Sequence, residues 1–135
     1  MNVISVNGIL LPNRPLTNIE LINSAKCIPS FRGVFVRDNL PRKPNKNECG
    51  ILNLDDSSGS GTHWVAWYRK NKENVYFDSY GIQPPLELQQ YLKSSIFYNT
   101  EKIQPEGHIC GHLCLYVLKQ LSLGRCLQEI VNTLH

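Results

Sequence analysis

Four residues from position 63 onward have the side chains that acyl transfer requires, namely a base, an acid to orient it, a hydrogen-bond donor and a nucleophile. They are His63, Asp78, Gln104 and Cys110. His63 lies where a glycine-rich stretch enters an apolar segment, and Asp78 closes the next apolar segment. If these two segments pair as an antiparallel hairpin, the imidazole and the carboxylate meet at one end. The carboxylate can then fix the imidazole tautomer and support its protonated form.

Cys110 is the predicted nucleophile. It lies where a loop turns into the strongly apolar segment 110–121, and the positive end of a helix favours the thiolate form. Gly111 keeps this turn open and lets a substrate backbone come close. The Cys110 N–H and the side-chain amide of Gln104 can both donate to a developing oxyanion. These residue types therefore predict a thiol hydrolase that works through a thioester.

The elements that must position these residues follow from the apolar periodicity and the turn signals. The segment 1–15 is predicted as an edge strand or extended arm, and Thr17 with Glu20 fits a capping box for a helix near 18–26. Strands are predicted at 31–36, 50–54, 63–68, 75–78 and 96–103, and further helices at 85–94, 110–121 and 126–134. The predicted fold class is α+β, with a central mixed, mostly antiparallel sheet flanked by helices in a single domain over 1–135.

Composition narrows the function classes. The 135 residues are 41% apolar and 19% charged, which is ordinary for a globular protein. The net charge of +3 permits contact with a polyanion without requiring it. No apolar run is long enough to span a bilayer, and the first residues do not form a signal peptide, so membrane contact and secretion are not expected. The five cysteines are an odd number and are predicted to be free thiols in a reducing compartment.

The order of the four residues carries a family resemblance. His63-Trp64, then Asp78, Gln104 and Cys110-Gly111 resembles the adenovirus protease (adenain) and the SUMO proteases, and most of all the adenain-like cysteine proteases of Maverick/Polinton elements. The resemblance covers nearly the whole chain from Leu16 onward. It implies that Trp64 lies over the substrate's C-terminal glycines. Asp78 follows the SUMO-protease pattern, whereas adenain has Glu there, and residues 94–103 lack the cysteine that holds adenain's activating peptide.

The resemblance also implies a biological role. The expected function is a cysteine endopeptidase that cleaves viral or virus-like-element capsid and core precursors, with a deconjugase for a ubiquitin-like modifier as the alternative. No cofactor is expected for the chemistry, although DNA or a peptide can activate such enzymes. The expected partners are a protein substrate and possible DNA, with no membrane. The expected location is the host nucleus or cytoplasm and the virion.

Two other functions and one other nucleophile remain open from the residues. A zinc site would use the alternating ligands His108, Cys110, His112 and Cys114, although structural zinc sites normally draw ligand pairs from separate segments. A nucleic-acid-binding or capsid-associated module would use the basic residues Arg37, Arg42, Lys43, Lys46, Arg69, Lys70 and Lys72. Cys49-Gly50 is a rival nucleophile, but it precedes a predicted strand and not a helix.

Overall fold

The computed structural model describes residues 2–55, 63–103 and 107–134. The strands of these residues are β1 (Val3–Val6), β2 (Ile9–Pro12), β3 (Phe31–Val36), β4 (Glu48–Asn53), β5 (Trp64–Lys70), β6 (Glu73–Phe77) and β7 (Ile96–Tyr98). The α-helices are α1 (Asn18–Ser24), α2 (Leu86–Leu92), α3 (Cys110–Ser122) and α4 (Leu127–Thr133), and short 3₁₀ turns cover Ala25–Cys27 and Gly107–Ile109.

The central sheet has the strand order β3-β4-β5-β6-β7. β4–β5 and β5–β6 pair antiparallel, whereas β3–β4 and β6–β7 pair parallel. The predicted α+β class with a mixed sheet is therefore confirmed, and its pairings divide equally between the two orientations.

β5 and β6 form the predicted hairpin. Ala66 pairs with Phe77 and Lys70 pairs with Glu73, so the residue before β5 and the residue after β6 lie at the same end of the sheet. The continued register places His63 opposite Tyr80, next to Asp78. The hairpin therefore brings the predicted base and its acid together, as the alternation of apolar residues indicated.

Both faces of the sheet are covered. One core contains side chains of α1, α3 and α4 packed on β4, β5 and β6, with Leu21, Cys114 and Leu118 fully buried. The other core lies on the opposite face of the sheet, where Leu88 and Leu92 of α2 pack against the strands. α3 lies along β5, so the helix that begins at Cys110 is held against the strand that begins at Trp64.

The first helix begins as its sequence predicted. The Thr17 hydroxyl accepts a hydrogen bond from Glu20 N at 3.2 Å, and the Glu20 carboxylate accepts one from Thr17 N at 2.9 Å. Arg14 adds two contacts of 2.9 and 2.8 Å to the same carboxylate. The capping box therefore anchors the chain just after Leu16.

The segments 1–15 and 96–103 differ from the sequence prediction. The segment 1–15 forms a separate antiparallel hairpin of β1 and β2 and adds no strand to the central sheet. Asn7 and Gly8 make its turn with φ angles of 54° and 80°, the left-handed values that a two-residue hairpin turn needs. β7 ends at Tyr98, because the chain then leaves the ladder and runs beside the turn that follows β6.

None of the helices in the described ranges has the length and apolar character needed to cross a membrane.

The sheet is closely packed where β4 and β5 pair. Gly50 lies opposite Trp67, whose indole donates to the buried Glu48 carboxylate at 3.0 Å. A Cβ atom at Gly50 would come within 2.3 Å of the Trp67 ring. The ring therefore occupies the space that any side chain at position 50 would need.

Gly50→Ala should destabilise the protein by about 1–3 kcal/mol, the usual cost of overpacking a core. Thermal and urea unfolding would measure the loss, with Leu86→Ala on the exposed face of α2 as the control. Unchanged unfolding of the Gly50 variant would show that the indole can move aside without cost.

Candidate active site

His63 and Asp78 form a buried pair. His63 Nε2 lies 2.7 Å from Asp78 Oδ1, and the aspartate is fully buried. The other ring nitrogen, Nδ1, is buried and has no hydrogen-bond partner among the described residues. Asp78 therefore fixes the ring orientation through Nε2 and leaves Nδ1 available to exchange a proton.

Asp78 is itself held by the turn that follows it. Its Oδ1 also accepts a hydrogen bond from Tyr80 N at 2.8 Å, and its carbonyl accepts one from Gly81 N at 2.8 Å. Gly81 has a φ of 71°, and a Cβ there would lie 2.7 Å from the Thr100 backbone. This glycine is thus required both by its backbone conformation and by the close approach of the next segment.

The Tyr80 ring stacks on the His63 ring. The centroids are 4.4 Å apart and the planes differ by 10°. Lys102 Nζ lies 5.4 Å from the centroid of the Tyr80 ring. The imidazole is therefore restrained in its plane by Asp78 and across its face by Tyr80.

Cys110 reaches this pair from the start of α3. Its Sγ accepts a hydrogen bond from the main-chain N–H of Trp64 at 3.3 Å, and the residue is 3% exposed. Trp64 directly follows His63, so the backbone that carries the imidazole also holds the sulfur through this hydrogen bond. The N-terminus of the 13-residue α3 favours negative charge at this sulfur.

The protonated form of His63 is stabilised. Burial alone would lower the pKa of His63, but the hydrogen bond with Asp78 and then the nearby Cys110 side chain outweigh it and raise the pKa from 6.5 to about 9. The imidazolium is therefore the form that this site favours at neutral pH. A protonated imidazole between a carboxylate and a sulfur matches a thiolate–imidazolium pair.

Two of the remaining cysteines have thiols that ionise less readily than usual. Burial, and then the charge of Glu48, raise the pKa of the Cys49 thiol to about 12. Burial likewise raises the pKa of Cys114 well above its usual value. None of the described histidines acts on Cys49, which hydrogen-bonds the Pro29 carbonyl at 3.7 Å, so the rival nucleophile is not supported. Cys27 and Cys126 are exposed free thiols.

Trp64 and Gly111 lie at the junction of the N-terminal segment with the site. The Trp64 indole is 8% exposed and donates to the Leu16 carbonyl at 3.0 Å. A Cβ at Gly111 would lie 3.2 Å from the Leu21 side chain and 3.3 Å from the indole. Both residues therefore have a packing role, and their predicted contact with substrate stays a prediction.

Gln104 lies outside the described residues. The residue before it, Ile103, donates its N–H to the Ser79 carbonyl at 2.7 Å. The chain leading to Gln104 is thus fixed to the turn that carries Asp78. The role of Gln104 as oxyanion donor stays a prediction.

The four alternating residues of the zinc hypothesis point to different partners. His108 contacts Asn13 Oδ1 at 2.8 Å, and His112 contacts the Pro12 carbonyl at 2.8 Å. Cys110 receives the Trp64 N–H, and Cys114 is fully buried. No group of three or more His, Cys, Asp or Glu side chains within 2–55, 63–103 and 107–134 is arranged to hold a metal ion.

Several basic residues lie at the opposite end of the sheet. Lys72 N donates to the Lys46 carbonyl at 3.3 Å, so the loop before β4 adjoins the β5–β6 turn. β5 separates this turn from His63 by seven residues, about 20 Å at the usual rise of a strand. Any polyanion bound by the exposed Arg42, Lys46 and Lys72 would therefore lie away from Cys110.

Two contributors to the site were not anticipated from the sequence. Tyr80 follows Asp78 by two residues, and extending the antiparallel register would have placed it beside His63. Asn99 bonds to both sides of the Asp78 main chain, at 3.1 and 2.7 Å. Its local sequence has no signal for this contact, because the two residues are brought together by the parallel pairing of β6 and β7.

Comparisons with known proteins support the fold. No protein-family model matches the chain, and no curated protein matches it by sequence. One crystal structure of the ASFV pS273R protease matches with a TM-score of 0.66 and 16% identity, covering 90% of this chain and 62% of that one. A second, of the selenomethionine form, matches with a TM-score of 0.52 and 20% identity, covering 67% and 40%.

The likeness confirms the α+β protease fold that the resemblance predicted. At this identity it concerns the fold alone, and this chain spans 40 to 62% of the protein that it matches.

Asp78→Asn should lower the pKa of His63 from about 9 toward its ordinary 6.5, because the largest raising contribution comes from this carboxylate. NMR titration of the His63 ring protons measures the change, with the exposed Glu87→Gln as the control. In the unmodified protein, protonated His63 stabilises the fold fully below about pH 6.5, and this stabilisation is lost as the pH rises through about 9. An unchanged titration in the Asp78 variant would contradict the assignment.

Proposed function

We propose that the chain is a cysteine endopeptidase with Cys110 as nucleophile, His63 as base and acid, and Asp78 as the orienting carboxylate. The observation that carries the proposal is the His63–Asp78 pair at 2.7 Å together with the position of Cys110. The Cys110 Sγ accepts a hydrogen bond at 3.3 Å from the main-chain N–H of Trp64, the residue after His63. The start of β5, the end of β6 and the start of α3 supply these groups. A catalytic role explains why these polar groups are buried together better than a structural role does.

In the resting site the Cys110 proton has already passed to His63 Nδ1, which gives the thiolate–imidazolium pair described above. The thiolate attacks the substrate carbonyl carbon, and the carbonyl electron pair moves onto oxygen. The oxyanion collapses to a thioester as the leaving amine takes the proton from His63. Water then loses a proton to His63 and attacks the thioester, which releases the acid product and restores the thiolate beside the protonated imidazole.

The oxyanion needs two donors. We assign these to the N–H of Cys110 at the start of α3 and to the side-chain amide of Gln104. The anchoring of Ile103 to Ser79 supports the second assignment, because it holds the chain one residue away from Gln104.

The substrate class is a further part of the proposal. The resemblance to adenain-like proteases favours precursors of viral or virus-like-element capsids and cores, processed in the host cell or virion. DNA bound at the basic end of the sheet would act from a distance, because that end lies away from Cys110. A ubiquitin-like modifier is the alternative substrate.

Cys110→Ala should keep the fold and reduce peptide cleavage by roughly 10⁴-fold or more, because the attacking atom is removed. A peptide library read by mass spectrometry, with and without DNA, measures it. Cys126→Ala, which removes an exposed thiol outside the site, is the matched control. Cleavage that persists in the Cys110 variant would reject the assignment, and release of a folded ubiquitin-like modifier in place of internal peptide cleavage would favour the alternative.

Substrates with glycine before the cut should be hydrolysed faster than those with bulky residues, if the Trp64 indole roofs the substrate path. Trp64→Ala should relax this preference and lower kcat/KM, whereas a purely structural indole would leave the preference intact and lower only stability. The same library, run with both proteins and with melting curves, separates the two results. Equal cleavage after glycine and phenylalanine by the unmodified enzyme would end this part of the proposal.

A further inference from the structure

The Asn99 side chain holds the main chain of Asp78 on both sides. Asn99 Oδ1 accepts from Asp78 N at 3.1 Å, and Asn99 Nδ2 donates to the Asp78 carbonyl at 2.7 Å. The same Nδ2 donates to the Glu101 carbonyl at 3.2 Å. Asn99 is buried, so water does not readily replace these bonds.

This contact occurs where the sheet can no longer hold Asp78. The parallel ladder between β6 and β7 has its last pair at Tyr76 and Tyr98. Asp78 lies beyond it, fully buried, so its main-chain N–H needs a partner outside the ladder, while its carbonyl already accepts from Gly81 N. One side-chain amide supplies an acceptor and a donor in the arrangement that a neighbouring strand would offer.

The position of Asp78 decides where His63 lies. Its carboxylate touches only one ring nitrogen, and it is attached to a backbone that has left the regular sheet. A shift of the Asp78 main chain would move the carboxylate from Nε2, and the ring would lose its restraint in the plane. A misplacement of about 1 Å can reduce catalysis by about 10²-fold.

Asn99 also begins the segment that leads to Gln104. After Asn99, the Thr100–Glu101 backbone packs against Gly81, and Ile103 N bonds the Ser79 carbonyl at 2.7 Å. The turn after β6 and the segment 99–103 are therefore joined at both ends. A displacement of one is transmitted to the other.

We propose that Asn99 is a positioning residue, which sets the place of Asp78 relative to His63. This inference rests on the proposed cysteine-peptidase function. Asn99 touches neither substrate nor sulfur and acts through the Asp78 main chain.

Asn74 offers a matched control on β6, the strand that precedes Asp78. It is also a buried amide with three hydrogen bonds, to Arg69, Ser94 Oγ and the Ser95 carbonyl at 2.9, 2.6 and 3.3 Å. It lies at the other end of β6, about 13 Å from Asp78 at the rise of a strand. Asn74→Ala should therefore cost stability without disturbing the site.

The test compares Asn99→Ala and Asn74→Ala in the full chain. Asn99→Ala should lower the pKa of His63 from about 9 toward 6.5 in an NMR titration. Alkylation of Cys110 by iodoacetamide should follow the same shifted pH profile, and kcat should fall by about 10- to 100-fold with a smaller change in KM. Asn74→Ala should keep the titration, the alkylation profile and kcat. If both variants lose similar thermal stability and both keep the His63 titration and kcat, Asn99 is structural and the inference is overturned.

Asn99→Asp decides the matter if Asn99→Ala does not fold. The new carboxyl has nearly the same shape, but once ionised it repels the Asp78 carbonyl that Asn99 Nδ2 now contacts. Once protonated it can donate to that carbonyl again, so the ratio of its kcat/KM to that of the unmodified protein should rise as the pH falls. A ratio that stays at one across the pH range would overturn the inference.

The design separates the inference from the function on which it rests. The His63 titration and the labelling of Cys110 need no peptide substrate. If the unmodified protein cleaves nothing in the library but the Asn99 variants still shift both readouts, the peptidase assignment fails and the positioning role stands. If cleavage depends on Cys110 but both Asn99 variants match the unmodified protein, only the positioning role fails.

Discussion

The hydrogen bond from the Trp64 main chain to the Cys110 sulfur joins the two halves of the site. The donor belongs to the first residue of β5, and the acceptor belongs to the first residue of α3, 46 positions later. A backbone N–H cannot be displaced without moving the strand. The position of the sulfur is therefore fixed relative to the imidazole of His63, one residue earlier. The close approach requires a small residue at position 111, because the Leu21 side chain and the Trp64 ring fill the space beside it.

The same helix shows why position decides the chemistry of a thiol. Cys110 is at the first turn of α3, next to an imidazole and a main-chain donor. Cys114 is one turn further on, fully buried, and burial raises the pKa of its thiol far above the usual value. Two cysteines four residues apart therefore have different surroundings, since Cys110 meets a main-chain donor at the start of the helix and Cys114 is enclosed in the core.

Local patterns predicted much of this architecture. The capping box at Thr17, the hairpin around residues 63–78 and the apolar helix from Cys110 all follow from short-range signals, and the structure confirms them. The N-terminal hairpin could also have been predicted, because Asn7-Gly8 between apolar runs is a strong turn signal. The contact of Asn99 with Asp78 depends on which strands are neighbours in the sheet. No window of sequence around either residue contains that information.

The N-terminal segment contributes to a site whose reactive groups come from much later in the chain. The Leu16 carbonyl holds the Trp64 indole, the Pro12 carbonyl holds His112, and the Asn7 side chain holds the Leu115 carbonyl. During synthesis these early residues leave the ribosome well before their partners do, and they remain unpaired until α3 has emerged. Such long-range contacts close late in folding. We therefore expect ribosome-bound chains that lack α3 to be digested readily by an added protease within residues 2–16.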